Sequence, residues 1–253
     1  MNSTTEDDRM IIYDDGIELS AELEVPEGHD GHRLVILLHG FTSAKNRPHN
    51  LQAAAAMREA GYATLRFDLY GHGESGGEFR NHTIFKWISN TMTVINWALE
   101  QGYDELYLSG HSQGGLVAAL AAGMEADRIR GLILRAPAFL IPRCAREGQM
   151  LGGTFDPDHL PDEVNVIKGK TLRGDYLRVA QTIHPEEAAE RYGGPVLILH
   201  GDEDDLVPLK DSEEYAGRFR RCELKVMKGE SHHFDRKPEE MRTLIREWLK
   251  KQH

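Results

Sequence analysis

The chain has 253 residues, of which 40% are hydrophobic and 28% charged, a composition typical of a globular protein rather than a disordered one. Its 30 basic and 41 acidic residues give a formal net charge of -11, and no basic stripe stands out, so we expect no nucleic-acid partner. The acidic start MNSTTEDD lacks the features of a signal peptide, no apolar run approaches the ~20 residues of a membrane span, and the two cysteines predict free thiols. These features predict a cytoplasmic protein without a membrane partner.

Strands and helices alternate along the first half of the chain. Residues 17–25 alternate apolar and polar side chains, as a half-buried strand does. The run RLVILL at 33–38 is continuously apolar, which is typical of a strand buried on both faces of a parallel sheet. The further predicted elements are strands at 62–67, 105–109 and 131–135, and helices at 51–60, 82–100 and 113–125.

The alternation stops at Pro137 and resumes after about Glu187. The stretch between them contains five prolines and several glycines, and a structureless loop of this length is unusual inside a compact domain. We therefore predict an inserted segment with short elements of its own. The elements predicted after it are a strand at 195–200, a helix after Pro208, a strand at 223–227 and a terminal helix at 238–251.

Strands separated by helices predict an α/β protein with a mostly parallel central sheet and helices on both faces. The predicted core comprises residues 1–136 and 188–253, and residues 137–187 form the predicted inserted cap. In such sheets the ligand site lies beyond the carboxyl ends of the strands. The residues that directly follow each strand are therefore the candidates for the chemistry.

A serine stands between a predicted strand and a predicted helix, within GHSQGG at 110–115. This matches G-x-S-x-G, the nucleophile elbow of the α/β-hydrolase fold, in its required strand–turn–helix context. The turn is sharp enough to strain the serine backbone, and Gly110 and Gly114 leave room for neighbouring segments. The motif predicts Ser112 as the nucleophile. It also predicts the Gln113 N–H, at a helix N-terminus, as a donor to a developing oxyanion.

A serine nucleophile needs a base, and in this fold the histidine follows the last strand. The segment KGESHHF at 228–234 occupies that place and offers two adjacent candidates. His232 is favoured because a glycine three positions before it and an aromatic residue two positions after it match the usual loop register. His233 remains the alternative base.

The acid is expected after the strand at 195–200, where HGDEDDLVP contains four consecutive acidic residues. In the pattern G-x-x-D-x-x-V-P, Asp204 takes the acid position, while Asp202 suits a turn brace. The other acid position of this fold follows the preceding strand, and there the chain has Arg135-Ala136-Pro137 with no acid. We therefore expect Asp204 to hold the imidazole tautomer and to stabilise the imidazolium.

The loop after the strand at 33–38, HGFT at 39–42, is where this fold supplies its second oxyanion donor. Gly40 lets the backbone approach closely, so the Phe41 N–H is the expected donor. The sequence has no H-E-x-x-H motif and no P-loop. We accordingly expect neither a metal nor a cofactor.

The chain resembles the bacterial cinnamoyl and feruloyl esterases of the α/β-hydrolase superfamily, from about Leu34 to Phe234. The resemblance implies a serine carboxylic ester hydrolase that cleaves hydroxycinnamate esters through an acyl-enzyme, with the insertion acting as a cap. It further implies that polar side chains of the cap meet the phenol hydroxyl of the substrate, for which Tyr176 is the candidate, while a role in packing is the alternative for this residue. The segments that carry it are HGFT at 39–42, DLYGHGES at 68–75, HTIFKW at 82–87, GHSQGG at 110–115, FDPDHLPDE at 155–163 and YLRVAQTI at 176–183.

Two other functions are compatible with these motifs. One is an esterase of short-chain acyl esters or monoacylglycerols, which would differ in the shape of the cap. The other is a non-catalytic ligand-binding relative, for which a broken triad is expected, whereas Ser112, Asp204 and His232 all stand in place. The expected partner is a small-molecule ester, and the expected state is a monomer or a homodimer.

Overall fold

The computed structural model of the chain describes residues 10–150 and 152–252. The segment MNSTTEDD, on which the signal-peptide prediction rests, lies outside the described residues. The first half of the chain alternates strands and helices, in the order β1 (Met10–Asp14), β2 (Ile17–Glu24), β3 (Arg33–Leu38), α1 (Pro48–Glu59), β4 (Ala63–Phe67), α2 (Ile84–Glu100), β5 (Glu105–His111), α3 (Gln113–Met124) and β6 (Ile129–Arg135).

The segment after β6 contains only short elements. They are α4 (Ile141–Arg146), β7 (Gln149–Met150), β8 (Gly153–Thr154), β9 (Glu163–Val166), β10 (Lys170–Arg173), α5 (Asp175–Gln181) and α6 (Pro185–Arg191). β7 pairs with β8, and β9 pairs with β10, each as a small antiparallel hairpin. α6 packs on the core, because Gly123 of α3 lies against Ala188. The last insertion helix therefore crosses the predicted boundary at residue 187.

The chain then returns to the central sheet through β11 (Val196–Gly201), α7 (Leu209–Ala216), β12 (Cys222–Met227) and α8 (Pro238–Lys250). Within the described residues the central sheet has eight strands, in the order β1-β2-β4-β3-β5-β6-β11-β12. All pairings from β4 to β12 are parallel, whereas β1–β2 and β2–β4 are antiparallel. The predicted α/β-hydrolase fold with a mostly parallel sheet is thus confirmed.

The sheet carries one apolar cluster on each face. Alternate side chains of β3 divide between them, with Leu34 and Ile36 facing the side of α2 and α3, and Val35 and Leu37 facing the side of α1 and α8. Both faces of the central strands are buried, which explains their continuous apolar runs. Among residues 10–150 and 152–252, no helix is both long and apolar enough to cross a membrane.

β1 is the strand of the described central sheet that the sequence analysis did not predict. It forms a hairpin with β2 around Asp15 and Gly16, whose φ angles are 48° and 79°. Two consecutive positive φ angles suit a tight hairpin turn, and Asp-Gly is a strong signal for one. Its sequence, MIIYD, does not alternate apolar and polar residues, and only Ile12 of this edge strand is buried.

Candidate active site

Ser112 occupies the sharp turn between β5 and α3. Its backbone has φ 55° and ψ -122°, a conformation that is costly for a residue with a side chain and is typical of functional turns. A Cβ on Gly110 would overlap the carbonyl group of Gly114, and a Cβ on Gly114 would overlap the carbonyl oxygen of His39. The two glycines are therefore required by the close approach of neighbouring backbone, as the motif predicts.

A cavity of about 810 Å³ lies over this turn. Ser112, Phe41, Gln113 and His232 all border it. These residues follow β5, β3 and β12, so the carboxyl ends of three parallel strands deliver them to one edge of the sheet. This is where an open α/β sheet places its ligand site.

His232 and Asp204 are joined directly. The Nδ1 atom of His232 lies 2.7 Å from Oδ2 of Asp204, and both side chains are almost completely buried. An ionised carboxylate can only accept, so the proton sits on Nδ1 and the Nε2 atom of the neutral ring carries the lone pair. His233 is exposed at the rim of the same cavity, and its backbone N–H donates to the hydroxyl of Ser231.

The Asp204 carboxylate is held in its ionised form. Burial alone would raise its pKa, but hydrogen bonds from His200 and His232 outweigh burial and hold the pKa below its usual range. Its Oδ1 atom also accepts from the backbone N–H groups of Leu206 and Val207, at 2.9 and 2.8 Å. A carboxylate with this many donors is fixed in orientation as well as in charge.

The other acidic residues of this loop have different roles. Asp202 accepts from the backbone N–H of Gly229 and so links the loops after β11 and β12. Glu203 forms an ion pair with Arg236 at the surface. Asp205 is exposed at the rim of the cavity. Of the four, Asp204 is the one whose side chain contacts His232.

Two histidines near the Phe41 loop support the backbone. His39 bonds to the carbonyl of Gly40 through Nδ1 at 2.8 Å, and its Nε2 accepts from the N–H of Leu69 at 3.0 Å. The Nε2 of His72 accepts from the N–H of Thr42 at 3.3 Å, where the backbone turns through a φ of 54°. Burial lowers the pKa of His72 to about 2, so this acceptor stays neutral and keeps the loop in shape.

Tyr176 is not placed where the resemblance implied. Its side chain is completely buried, it does not border the cavity, and its hydroxyl donates to Oε1 of Gln113 at 2.8 Å. The face of α5 that carries Tyr176 turns toward the nucleophile elbow rather than toward the substrate space. The expected contact with a phenol hydroxyl is therefore replaced by a contact that orients Gln113.

His111 is a further residue that the sequence analysis did not single out. It is almost completely buried, and its Nε2 atom lies 2.9 Å from the carbonyl oxygen of His232. Since a carbonyl only accepts, Nε2 carries the proton and donates. The residue directly before Ser112 thus bonds to the loop that carries His232. Its position inside GHSQGG is the only signal in the sequence, and the motif alone does not reveal the partner.

The cavity has two chemically different walls. Side chains from the insertion form an apolar wall, while the start of α1 and the loop after β12 form a polar one. In the part of the chain that the structure describes, no group of three or more histidine, cysteine or acidic side chains is arranged to hold a metal ion. The apolar wall comprises Leu140, Ile141, Cys144, Met150 and Ile167, and the polar wall comprises Arg47, His49, Gln52, His233 and Asp235.

Comparison with known proteins relates this arrangement to hydrolases. The solved structure of Est1E from Butyrivibrio proteoclasticus with ferulic acid bound is 41% identical, covers 96% of this chain and 98% of that one, and superposes with a TM-score of 0.94. The monoacylglycerol lipase of Mycolicibacterium smegmatis is 24% identical over 98% of this chain and 99% of its own length. Human ABHD12B is 25% identical over 72% of this chain, which spans only 48% of that protein.

The family described as Hydrolase_4, "Serine aminopeptidase, S33", matches residues 29–162. This segment includes the Phe41 loop and the nucleophile elbow. The likeness to Est1E extends over 96% of this chain. The chain therefore belongs to the Hydrolase_4 family and is a serine hydrolase of the α/β-hydrolase fold.

Proposed function

We propose that this protein is a carboxylic ester hydrolase that cleaves hydroxycinnamate esters, with feruloyl or cinnamoyl acyl groups. The observation that carries the proposal is the likeness to Est1E, whose solved structure holds ferulic acid. A cavity of about 810 Å³ at Ser112 supports it, because pockets of several hundred Å³ enclose ligands of this size. The partner of the protein is then a small-molecule ester.

The first half of the reaction forms an acyl-enzyme. The Oγ atom of Ser112 attacks the ester carbonyl carbon, while Nε2 of His232 takes the hydroxyl proton. The backbone N–H groups of Phe41 and Gln113 donate to the oxygen that becomes negative in the tetrahedral intermediate. The bond to the alcohol oxygen then breaks, and His232 returns the proton to the departing alcohol.

The second half repeats these steps with water. His232 removes a proton from a water molecule, which attacks the acyl-enzyme carbonyl, and the same two N–H groups stabilise the new oxyanion. The bond to Ser112 Oγ breaks and the serine recovers its proton, so the free carboxylic acid leaves. Asp204 keeps its charge throughout, and its bond to Nδ1 compensates the imidazolium in both halves.

We propose that the insertion, residues 137–187, acts as a cap that binds the acyl group. Its apolar side chains border the cavity beside Ser112, where an aromatic ring would be removed from water. Lys168 reaches from the insertion to the Phe41 loop, with its Nζ atom 3.1 Å from the Thr42 hydroxyl. This contact connects the cap to the segment that supplies an oxyanion donor.

The test is a hydrolysis panel of methyl ferulate and methyl cinnamate against p-nitrophenyl esters of increasing chain length and a monoacylglycerol. We expect the highest kcat/KM on methyl ferulate and methyl cinnamate. Ser112→Ala is expected to lower turnover by roughly 10⁴-fold or more, as loss of a triad member does. A variant that keeps a tenth of the wild-type activity would show that Ser112 is not the nucleophile.

The acid is tested by comparing Asp204→Asn with Asp205→Asn. The two substitutions are chemically identical on adjacent residues, but only the Asp204 carboxylate bonds to His232. We expect a loss of several orders of magnitude from the first, because the imidazole tautomer is no longer fixed, and a small effect from the second. Equal effects would mean that the acid is misplaced.

The second candidate function is hydrolysis of monoacylglycerols or short-chain acyl esters. Full-length similarity to a monoacylglycerol lipase favours it, and an apolar wall also accommodates an alkyl chain. A preference in the same panel for acyl glycerols or long p-nitrophenyl esters would select this function over the first. Binding without turnover of any ester would instead indicate a ligand-binding protein.

A further inference from the structure

His200 is a buried histidine that the reaction described above does not use. It lies near the carboxyl end of β11 and is completely inaccessible to solvent. Its Nδ1 atom is 2.7 Å from the hydroxyl of Ser212 in α7. Its Nε2 atom is 3.0 Å from the carbonyl oxygen of Val207 and 3.2 Å from Oδ2 of Asp204. The ring therefore joins a strand, a helix and the loop of the acid.

These partners determine the tautomer of His200. The Val207 carbonyl and the ionised Asp204 carboxylate can only accept hydrogen bonds, so Nε2 carries the proton. In the neutral ring, Nδ1 is then an acceptor, and the Ser212 hydroxyl is the donor that satisfies it. His200 accordingly presents a single N–H that is shared between Val207 O and Asp204 Oδ2.

The same Asp204 oxygen also receives the Nδ1–H of His232, at 2.7 Å. Oδ2 thus accepts from two imidazoles, while Oδ1 accepts from the backbone N–H groups of Leu206 and Val207. Four donors leave the carboxylate no rotational freedom. They also spread its negative charge, because each donor withdraws part of the charge that would otherwise act on His232.

We propose that His200 is a positioning residue for ester hydrolysis, which acts through Asp204 to set the orientation and the basicity of His232. The inference rests on the proposed function, in which Asp204 orients the catalytic base. Without the His200 donor, the negative charge of Asp204 is less compensated and attracts the imidazolium of His232 more strongly. The Asp204 carboxylate also loses one of its four donors and can rotate away from the productive geometry. The base is then aligned less often, and we expect activity to be lost at a higher pH on the acid side.

The expected shift of the acid limb in His200→Leu is assigned to His200, because the other groups around His232 stay the same. Asp204 faces it from the loop after β11, His111 from β5 with ring centres 4.8 Å apart, and His233 from its own loop at 5.3 Å. The His49 ring of α1 lies behind His111, at 4.4 Å from that ring. Of these side chains, only Asp204 accepts from the His200 Nε2–H that His200→Leu removes, so the effect of the substitution reaches His232 through Asp204.

The experiment compares His200→Leu with His200→Gln. Leucine fills a similar volume without a donor, whereas the glutamine Nε2 reaches the place of the imidazole Nε2–H. We expect His200→Leu to lower kcat/KM by roughly 10- to 100-fold, as for loss of a hydrogen bond to a charged group, mainly through kcat. The acid limb of its kcat/KM–pH profile should move to higher pH. His200→Gln should restore most of the rate and return the limb toward the wild-type position.

Ser212→Ala is the matched control for a merely structural role. It removes the buried partner of Nδ1 but leaves the Nε2–H in place, so we expect lower stability with an acid limb like that of the wild type. Urea unfolding measures the stability of all three variants. A pH profile unchanged in His200→Leu, or equal losses in the leucine and glutamine variants, would overturn the proposal.

The outcome is separable from that of the proposed function. If Ser112→Ala and Asp204→Asn are inactive but His200→Leu keeps the wild-type rate and pH profile, the role of His200 is refuted and the esterase mechanism stands. If Ser112→Ala remains active, the mechanism itself fails, whatever the His200 variants do.

Discussion

Replacing Tyr176 by phenylalanine tests whether the hydrogen bond from Tyr176 to the Gln113 side chain supports the proposed oxyanion site. The Tyr176 hydroxyl lies 2.8 Å from Oε1 of Gln113, and both side chains are buried. The substitution removes only the hydroxyl, so it leaves the Gln113 oxygen without its donor in a place that water does not reach. An unsatisfied buried acceptor costs about 1–3 kcal/mol, and we expect the free energy of unfolding to fall by that amount.

The same change should also reduce catalysis, because the Gln113 N–H is the proposed oxyanion donor and Tyr176 holds its side chain. We expect kcat/KM to fall by roughly two- to tenfold, the equivalent of about one hydrogen bond. Since the tyrosine does not border the cavity, the loss should be equal for methyl ferulate and methyl cinnamate. The two esters differ in the ring substituents, a hydroxyl and a methoxy group that methyl ferulate carries and methyl cinnamate lacks.

Tyr192→Phe provides the control variant. Tyr192 is also completely buried, and its hydroxyl donates to the carbonyl of Ile129 at 3.2 Å, on the side of the core away from the cavity lining. It should lose stability by a similar amount while keeping kcat/KM on both esters. A loss in Tyr176→Phe that is confined to methyl ferulate would refute the reasoning, since it would mean that the Tyr176 hydroxyl contacts a ring substituent of the substrate.

Three further predictions concern the base, the elbow and the response to acid. His232→Ala should reduce turnover about as much as loss of the nucleophile, and His233→Ala far less; the reverse ranking of initial rates would assign the base to the other histidine. Gly114→Ala should give no active enzyme, because the added methyl overlaps the His39 carbonyl; wild-type activity with intact circular dichroism would contradict that geometry. Burial lowers the pKa of His49 and of His72 to about 2. Below pH ~6.5 the unfolded chain therefore binds protons that the folded chain does not. Each residue should then lower the free energy of unfolding by about 1.4 kcal/mol for each unit by which the pH falls. In urea unfolding between pH 6 and 4.5, His49→Gln should show a shallower decline than the wild type; equal slopes would disprove its neutral burial.

The elements with strong local signals were predicted correctly from the sequence. Strands buried on both faces must be continuously apolar, and RLVILL at 33–38 coincides with β3. The nucleophile elbow is equally local, because its two glycines are required by backbone contacts within one turn and the segments beneath it. The family resemblance, which rests on motifs along most of the chain, is confirmed by the likeness to Est1E.

The choice of Asp204 and His232 among adjacent candidates also came from local register. Loop register is readable when glycine, valine and proline fix where a loop bends, as in G-x-x-D-x-x-V-P. Their catalytic roles stay predictions, although the two side chains lie 2.7 Å apart. The edge strand β1 was missed, because MIIYD is short and lacks the alternation of apolar and polar residues that a half-buried strand usually shows.

Only the tertiary structure decided which way Tyr176 faces and what His200 contacts. α5 is a short helix in an insertion without regular periodicity, so its orientation depends on packing against the elbow rather than on its own seven residues. The bonds of His200 join Ser212, Val207 and Asp204, whose relative positions are set by the packing of α7 against β11. A sequence lists such side chains in order, but hydrogen bonds between loops depend on distances that arise only when the sheet and its helices assemble.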